Sequence, residues 1–190
     1  MAVAETGMSS LEAELPQRSA RLILRRLRAS DLADFQAYRQ DPQVGLYQGW
    51  QAQSDAQALA FLQEMASAPL LQPGAWCQLG LAEAGSDRLI GDIGMCLAAD
   101  SASVEIGFSL HAARQGQGLA AEGVGALIAL LWACSPAAEV RGITDARNLG
   151  SIRLLERLGF ARVDSQAAVF RGEACVEHHY RLLRSAQVAR

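Results

Sequence analysis

Several groups of residues in this chain have types and spacing suited to chemistry. Gly116 and Gly118, in "RQGQGLAAEG" (residues 114–123), stand between a strand-like "VEIGFSL" and a long apolar helical stretch, "AAEGVGALIALLWA". Glycines at such a junction let backbone N–H groups close around phosphate at a helix N-terminus. Either a dinucleotide or an acyl-CoA would suit that arrangement. Ser109 and His111 lie two apart at the end of the strand-like run, a spacing that makes a poor nucleophile–base pair. His178 and His179 fall on a final strand and point to opposite faces, which gives structural histidines or one facing a cleft. Tyr47 and Trp50, in "VGLYQGW", either meet whatever approaches or plug their loop onto the core. The four cysteines, Cys77, Cys96, Cys134 and Cys175, include no Cys-x-x-Cys pair; they read as reduced thiols, with no zinc or other metal site.

These residues need a scaffold. A chain of 190 residues is long enough for one domain with a real core. All 17 basic residues are arginine, and the absence of lysine excludes Walker-type phosphate loops, Schiff-base chemistry and Ser–Lys catalysis. A formal charge of −3 argues against a nucleic-acid surface. The N-terminus lacks the pattern of a signal peptide, and the apolar run near Ala126–Ala133 is too short to span a bilayer, so a cytoplasmic protein is expected.

Residues 1–17 are polar and aperiodic, and are expected to form a flexible tail ahead of a single domain over 18–190. "RLILRRLR" alternates as a strand whose arginines form a solvated face. Ser30 is placed to cap a helix, "DLADFQAYRQ", which "DPQ" stops; Ser54 and Gln57 form a capping box ahead of a second helix. Three strand-like runs, "AWCQLGLAE", "RLIGDIGMCL" and "ASVEIGFSL", separated by turn segments, read as an antiparallel meander. After the glycine loop and its helix come a short strand, "VRGIT", and a helix with Asn148 as N-cap and Gly159 as stop. Two strand candidates, "SQAAVFRG" and "VEHHYRLLR", finish an α+β domain of about seven strands and about four helices.

Gly116, Gly118 and Ala121 match G-x-G-x-x-A, with Glu139 about twenty residues on, as in a dinucleotide site. That fingerprint opens a β-α-β unit directly after its strand, whereas "HAARQ" intervenes here and the strands before it form a meander. The other match, Gln115-x-x-Gly118-x-Ala120 running into a helix, resembles the pyrophosphate loop of the GNAT superfamily of acyl-CoA-dependent N-acyltransferases. The resemblance extends over residues 20–185. "RLILRRLRASDLADFQAYRQDPQV" resembles the opening of the branch that includes ribosomal-protein N-terminal acetyltransferases. "VEIGFSL" resembles its central strand, and "DARNLGSIRLLERLGFARV" its next block.

The resemblance implies a mixed, mostly antiparallel sheet splayed after its fourth strand. It implies an acetyl-CoA-dependent N-acetyltransferase acting by direct attack in a ternary complex on a protein N-terminus or small amine. A metal is not implied, nor a membrane or nucleic-acid partner; a monomer or homodimer is. Residues from Gly116 through Gln117, Gly118 and Leu119 to Ala120 would hold pyrophosphate, with Gln115 opening the loop and Arg114 adding a charge-assisted contact or facing solvent. Backbone groups of Ile106 and Phe108 would meet the pantetheine arm and the oxyanion. The resemblance makes Glu105 the candidate base and Asp92 a second choice near the acceptor. Members of this superfamily often carry a tyrosine seven residues after the asparagine; here that residue is Leu155, which leaves Ser151 as the candidate acid near the sulfur. Asn148 would bond the pantetheine amide, and Tyr47, Gln48 and Trp50 would line the acceptor side. Two rival readings are a CoA-binding module without catalysis and a dinucleotide-dependent oxidoreductase.

Overall fold

The computed structural model describes residues 10–184. In chain order the elements are β1 (Gln17–Arg18), β2 (Leu22–Arg26), α1 (Leu32–Arg39), α2 (Pro42–Gly45), α3 (Asp55–Ser67), β3 (Trp76–Glu83), β4 (Leu89–Leu97) and β5 (Ser103–Leu110). They continue with α4 (Leu119–Cys134), β6 (Glu139–Asp145), α5 (Leu149–Arg157), β7 (Ala161–Phe170) and β8 (Glu173–Leu183). The strands form one eight-stranded sheet in the order β1-β2-β3-β4-β5-β6-β8-β7. Among the described strands only β5 and β6 pair in parallel; the other pairs are antiparallel. The resulting mixed α+β sheet flanked by helices is the GNAT fold.

Strand alternation sends side chains to two cores. On one face Leu79, Leu81, Ile93, Val104 and Ile106 pack with Val124, Leu127 and Leu131 of α4 and Leu155 of α5. On the other, Leu27 and Leu89 pack with Phe35 and Tyr38 of α1 and Leu62 of α3. Gly123 is required where α4 meets the sheet: a Cβ there would lie 2.5 Å from Leu81 Cδ2.

Several local signals are realised as expected. Ser54 Oγ accepts the Gln57 N–H, and Gln57 Oε1 accepts the Ser54 N–H at 3.0 Å, which completes the capping box of α3. Asn148 Oδ1 accepts the Ser151 N–H at 3.1 Å, and Gly159 closes the segment after α5 with φ +86°. Others differ. Ser30 caps nothing; it lies in a 3-10 turn whose Asp31 carboxylate accepts the Arg28 N–H at 2.8 Å, since a carboxylate one residue on reaches that donor better. "DPQ" ends α1 but also opens α2, with Asp41 as cap and Pro42 in the first turn, where its missing N–H is harmless. Residues 1–9 of the expected tail lie outside the described residues. From Ser10 onward the chain is docked: Leu11 is buried in the core, and Gln17 pairs with Leu24 to add the eighth strand.

Candidate active site

The register of β5 defines the site. His111 N–H donates to Ile90 at 2.8 Å and Ala98 N–H to Ser103 at 2.9 Å, so odd-numbered residues of this strand bond to β4. The backbone groups of Val104, Ile106, Phe108 and Leu110 therefore point toward β6. The parallel pairing ends at Ile106 opposite Gly142, and beyond it the two strands splay. Phe108 and Leu110 present their backbone to that gap. The Phe108 carbonyl accepts Gln48 Nε2 at 3.1 Å, and the Leu110 carbonyl accepts Gln115 Nε2 at 3.0 Å.

The gap opens into a cleft of ≈ 640 Å³. Its floor is the loop expected from the sequence. Gly116 and Gly118 have φ of +73° and +76°, the left-handed conformation that favours glycine. Gly118 is the N-cap of the 16-residue α4, and the first intrahelical bond runs from Glu122 N–H to Gly118. That leaves the N–H groups of Leu119, Ala120 and Ala121 free of intrahelical partners at the positive end of the helix dipole. A Cβ on Gly116 would meet nothing within 4 Å, so the loop leaves room on its surface. Four arginines, Arg114, Arg147, Arg153 and Arg157, line the cleft and, among the described residues, no carboxylate does. Arg147 is paired with Asp145 at 2.7 Å, and Arg153 and Arg157 stay unpaired among the described residues. In a chain of net charge −3 this selects an anionic occupant. The lining thus fits the pyrophosphate of an acyl-CoA.

Among the expected site residues, Phe108, Arg114, Gln115, Gly116, Gly118, Leu119, Ala120, Asn148, Ser151 and Tyr47 share this cleft. The Ser151 hydroxyl has no hydrogen-bond partner among the described residues, because Asn148 caps the helix through the Ser151 N–H. Arg114 lines the cleft but ion-pairs with Glu83 at 2.8 Å. Gln117 turns away, its side chain bonded to the Ala113 carbonyl at 3.0 Å and its own carbonyl to Arg21. The Ile106 side chain belongs to the core. Trp50 does not line the cleft; its indole N–H donates to Ser109 Oγ at 3.3 Å and its ring covers the Arg39 guanidinium at 4.5 Å.

Asp92 requires correction as an acceptor-side residue. It is 2% exposed, takes the Tyr38 hydroxyl and binds Arg39 Nη2 at 2.8 Å, so no acceptor reaches it. Glu105 is half-buried on the sheet face opposite α4 and does not line the cleft. Burial pushes its carboxyl above the usual range, against the lowering pull of His179 and Arg141, with Glu177 adding a further upward push. His179 lies on that face with its Nε2 buried and unpartnered among the described residues. His178, on the opposite face, meets Ser165 Oγ at 2.9 Å and Arg162 at 3.3 Å. Leu155 is 1% exposed, and its Cδ2 fills the space beside Gly142. No acid works from that position. Among the described residues no group of His, Cys, Asp and Glu could hold a metal ion, and no helix is long and apolar enough to cross a membrane.

Two groups escaped the sequence reading. Arg153 and Arg157, one turn apart on α5, line the cleft with no ion-pair partner among the described residues; their i, i+4 spacing was the available signal. Arg171, at the β7–β8 turn, donates to the carbonyls of Gln48 and Trp50 at 3.0 and 2.8 Å and fastens that loop; nothing local signals it.

A splayed sheet with a glycine loop at the α4 N-terminus defines an acyl-CoA-dependent transferase. The acetyltransferase (GNAT) domain model matches residues 21–161, and the chain belongs to that family. Among solved structures it is similar to a GNAT-family acetyltransferase from Bacillus anthracis (TM-score 0.78, 18% identity, covering 87% of this chain and 96% of that one). It is also similar to RimL, a ribosomal L7/L12 alpha-N-protein acetyltransferase in complex with coenzyme A (TM-score 0.76, 18% identity, 89% and 97%). A third is the microcin C7 self-immunity acetyltransferase MccE in complex with acetyl-CoA and AMP (TM-score 0.75, 13% identity, 87% and 94%). No curated protein sequence matches the chain significantly.

Proposed function

We propose that this acetyltransferase moves an acetyl group from acetyl-CoA to a primary amine, a protein N-terminus or small-molecule amine, by direct attack in a ternary complex in the cytoplasm. The observation that carries the donor is the cleft itself: the unpaired Arg153 and Arg157, no carboxylate among the described residues that line it, and free N–H groups at the start of α4. Relatives of this fold bind CoA or acetyl-CoA. The Phe108 and Leu110 backbone, facing the gap between β5 and β6, supplies donors where charge develops on the thioester oxygen.

Glu105 is the base for the ammonium proton in this reading, and its raised proton affinity suits an amine of pKa about 8. Ser151, with a free hydroxyl beside the gap, donates to the departing thiolate. Tyr47 and Gln48 border the acceptor side, which leaves both a protein N-terminus and a small-molecule amine as acceptors. Thiol release from acetyl-CoA over a panel of peptides and small amines tests this. Turnover with at least one amine is expected. Tight acetyl-CoA binding without turnover on any amine would leave a CoA-binding module instead, and stabilisation by NADP(H) alone would overturn the donor.

A further inference from the structure

We propose that Arg21, anchored by Glu122, is a positioning residue for the acetyl donor: it holds the Gln117–Gly118 peptide so that Gly118 presents its N–H to the cleft. The inference rests on the donor reading above and concerns Arg21 and Glu122, which lie outside the cleft.

Glu122, in the first turn of α4, accepts three hydrogen bonds from the segment before β2. Its Oε1 takes the Ser19 hydroxyl at 2.7 Å and the Arg21 N–H at 2.8 Å; its Oε2 takes Arg21 Nε at 2.7 Å. The other arm of the same guanidinium, Nη1, donates to the Gln117 carbonyl at 2.9 Å. One planar fork therefore joins the helix start to the loop ahead of it, a geometry that arginine provides and a point charge does not.

The consequence follows from the trans peptide. Its C=O and N–H point in opposite directions, so pinning the Gln117 oxygen toward Arg21 turns the Gly118 N–H the other way. That way is the cleft, which Gly118 lines and neither Gln117 nor Arg21 does. A glycine on the C-terminal side leaves this peptide unusually free to rotate, because glycine occupies positive and negative φ with similar ease. Rotation would aim the Gln117 carbonyl dipole at the phosphates. Arg21 also fills the back of the loop, its Nη2 lying 3.7 Å from where a Gly118 Cβ would be. A second effect is electrostatic. Glu122 would otherwise set an uncompensated carboxylate within one turn of an anion site, and Arg21 neutralises it.

An ion pair whose arginine is half-exposed contributes little to folding, so the effect should fall on binding. Calorimetric titration with CoA, alongside melting of the CoA-free proteins, separates the two. Arg21→Ala is expected to weaken CoA binding at least tenfold with little change in melting temperature. The double variant Arg21→Ala/Glu122→Gln removes the uncompensated carboxylate and decides the matter even if the single variant folds poorly. It is expected to remain weak, because the peptide is still unpinned. Wild-type affinity in Arg21→Ala, or its full recovery in the double variant, would overturn the positioning role. Failure of the unaltered protein to bind CoA would sink the donor reading itself.

Discussion

At the residue scale, Glu105 and Ser151 carry separable predictions. Burial raises the Glu105 proton affinity, so the base itself is lost on acidification at a higher pH than an ordinary carboxylate. Below pH about 8 the amine is also largely protonated, and help in removing its proton matters most. Glu105→Gln should therefore cut turnover by roughly a hundredfold near pH 7, with the gap closing as pH rises. Overlapping kcat/KM profiles between pH 6 and 9 would remove Glu105 from the scheme. Ser151→Ala leaves the helix cap intact, because the cap joins Asn148 to the Ser151 backbone. It should slow turnover about tenfold at most while sparing CoA affinity, since a thiolate leaves readily. A pure binding defect would assign Ser151 to the pantetheine arm. Much of this site was legible because loop spacing and caps are local. Partners were not: the Arg114 pair with Glu83, the burial of Asp92 and the reach of Arg21 to Gln117 all join residues far apart in sequence.

At the element scale, the chemistry depends on how α4 and α5 begin. Gly118 sets the first turn of α4 from φ +76°, where any Cβ adds strain. Gly118→Ala should cost about 1 kcal/mol of stability and at least tenfold in CoA affinity, measured by denaturant unfolding and titration. Wild-type affinity would show that the loop is not the donor's seat. The α5 position where the family resemblance leads one to expect a tyrosine is closed by packing: Leu155 lies 3.1 Å from where a Gly142 Cβ would be. Leu155→Tyr should destabilise by about 1–3 kcal/mol and gain no rate, because the ring must force the sheet apart before its hydroxyl reaches the cleft. Periodicity gave the long elements, whose faces are read every second or every third to fourth residue. It missed β1, two residues long and defined only by its pairing with β2, and α2, where Pro42 reads equally as a stop.

At the scale of the whole molecule, one buried network ties the core under α1 and α3 to the Trp50 loop and to β5. Asp92 on β4 receives Tyr38 and Arg39 from α1; Arg39 Nη2 reaches Gln78 Oε1 on β3 at 3.0 Å. The same guanidinium lies over the rings of Phe35 and Trp50, at 4.8 and 4.5 Å from their centroids, and Trp50 continues to Ser109 on β5. Sequence periodicity does not show such a network, because an aspartate in a strand gives no sign of which face it occupies or what faces it. Asp92→Asn keeps the shape but leaves the Arg39 charge buried without its counter-ion, which should cost about 3–5 kcal/mol. Replacing the pair together, Asp92→Leu with Arg39→Met, removes both charges and should recover most of that loss in denaturant midpoints. Neither change touches the glycine loop, so CoA affinity should hold in the folded fraction. The acceptor KM should rise in the double variant, where Trp50 loses the cation that seats it. A fully stable Asp92→Asn protein with abolished turnover would instead return Asp92 to the chemistry.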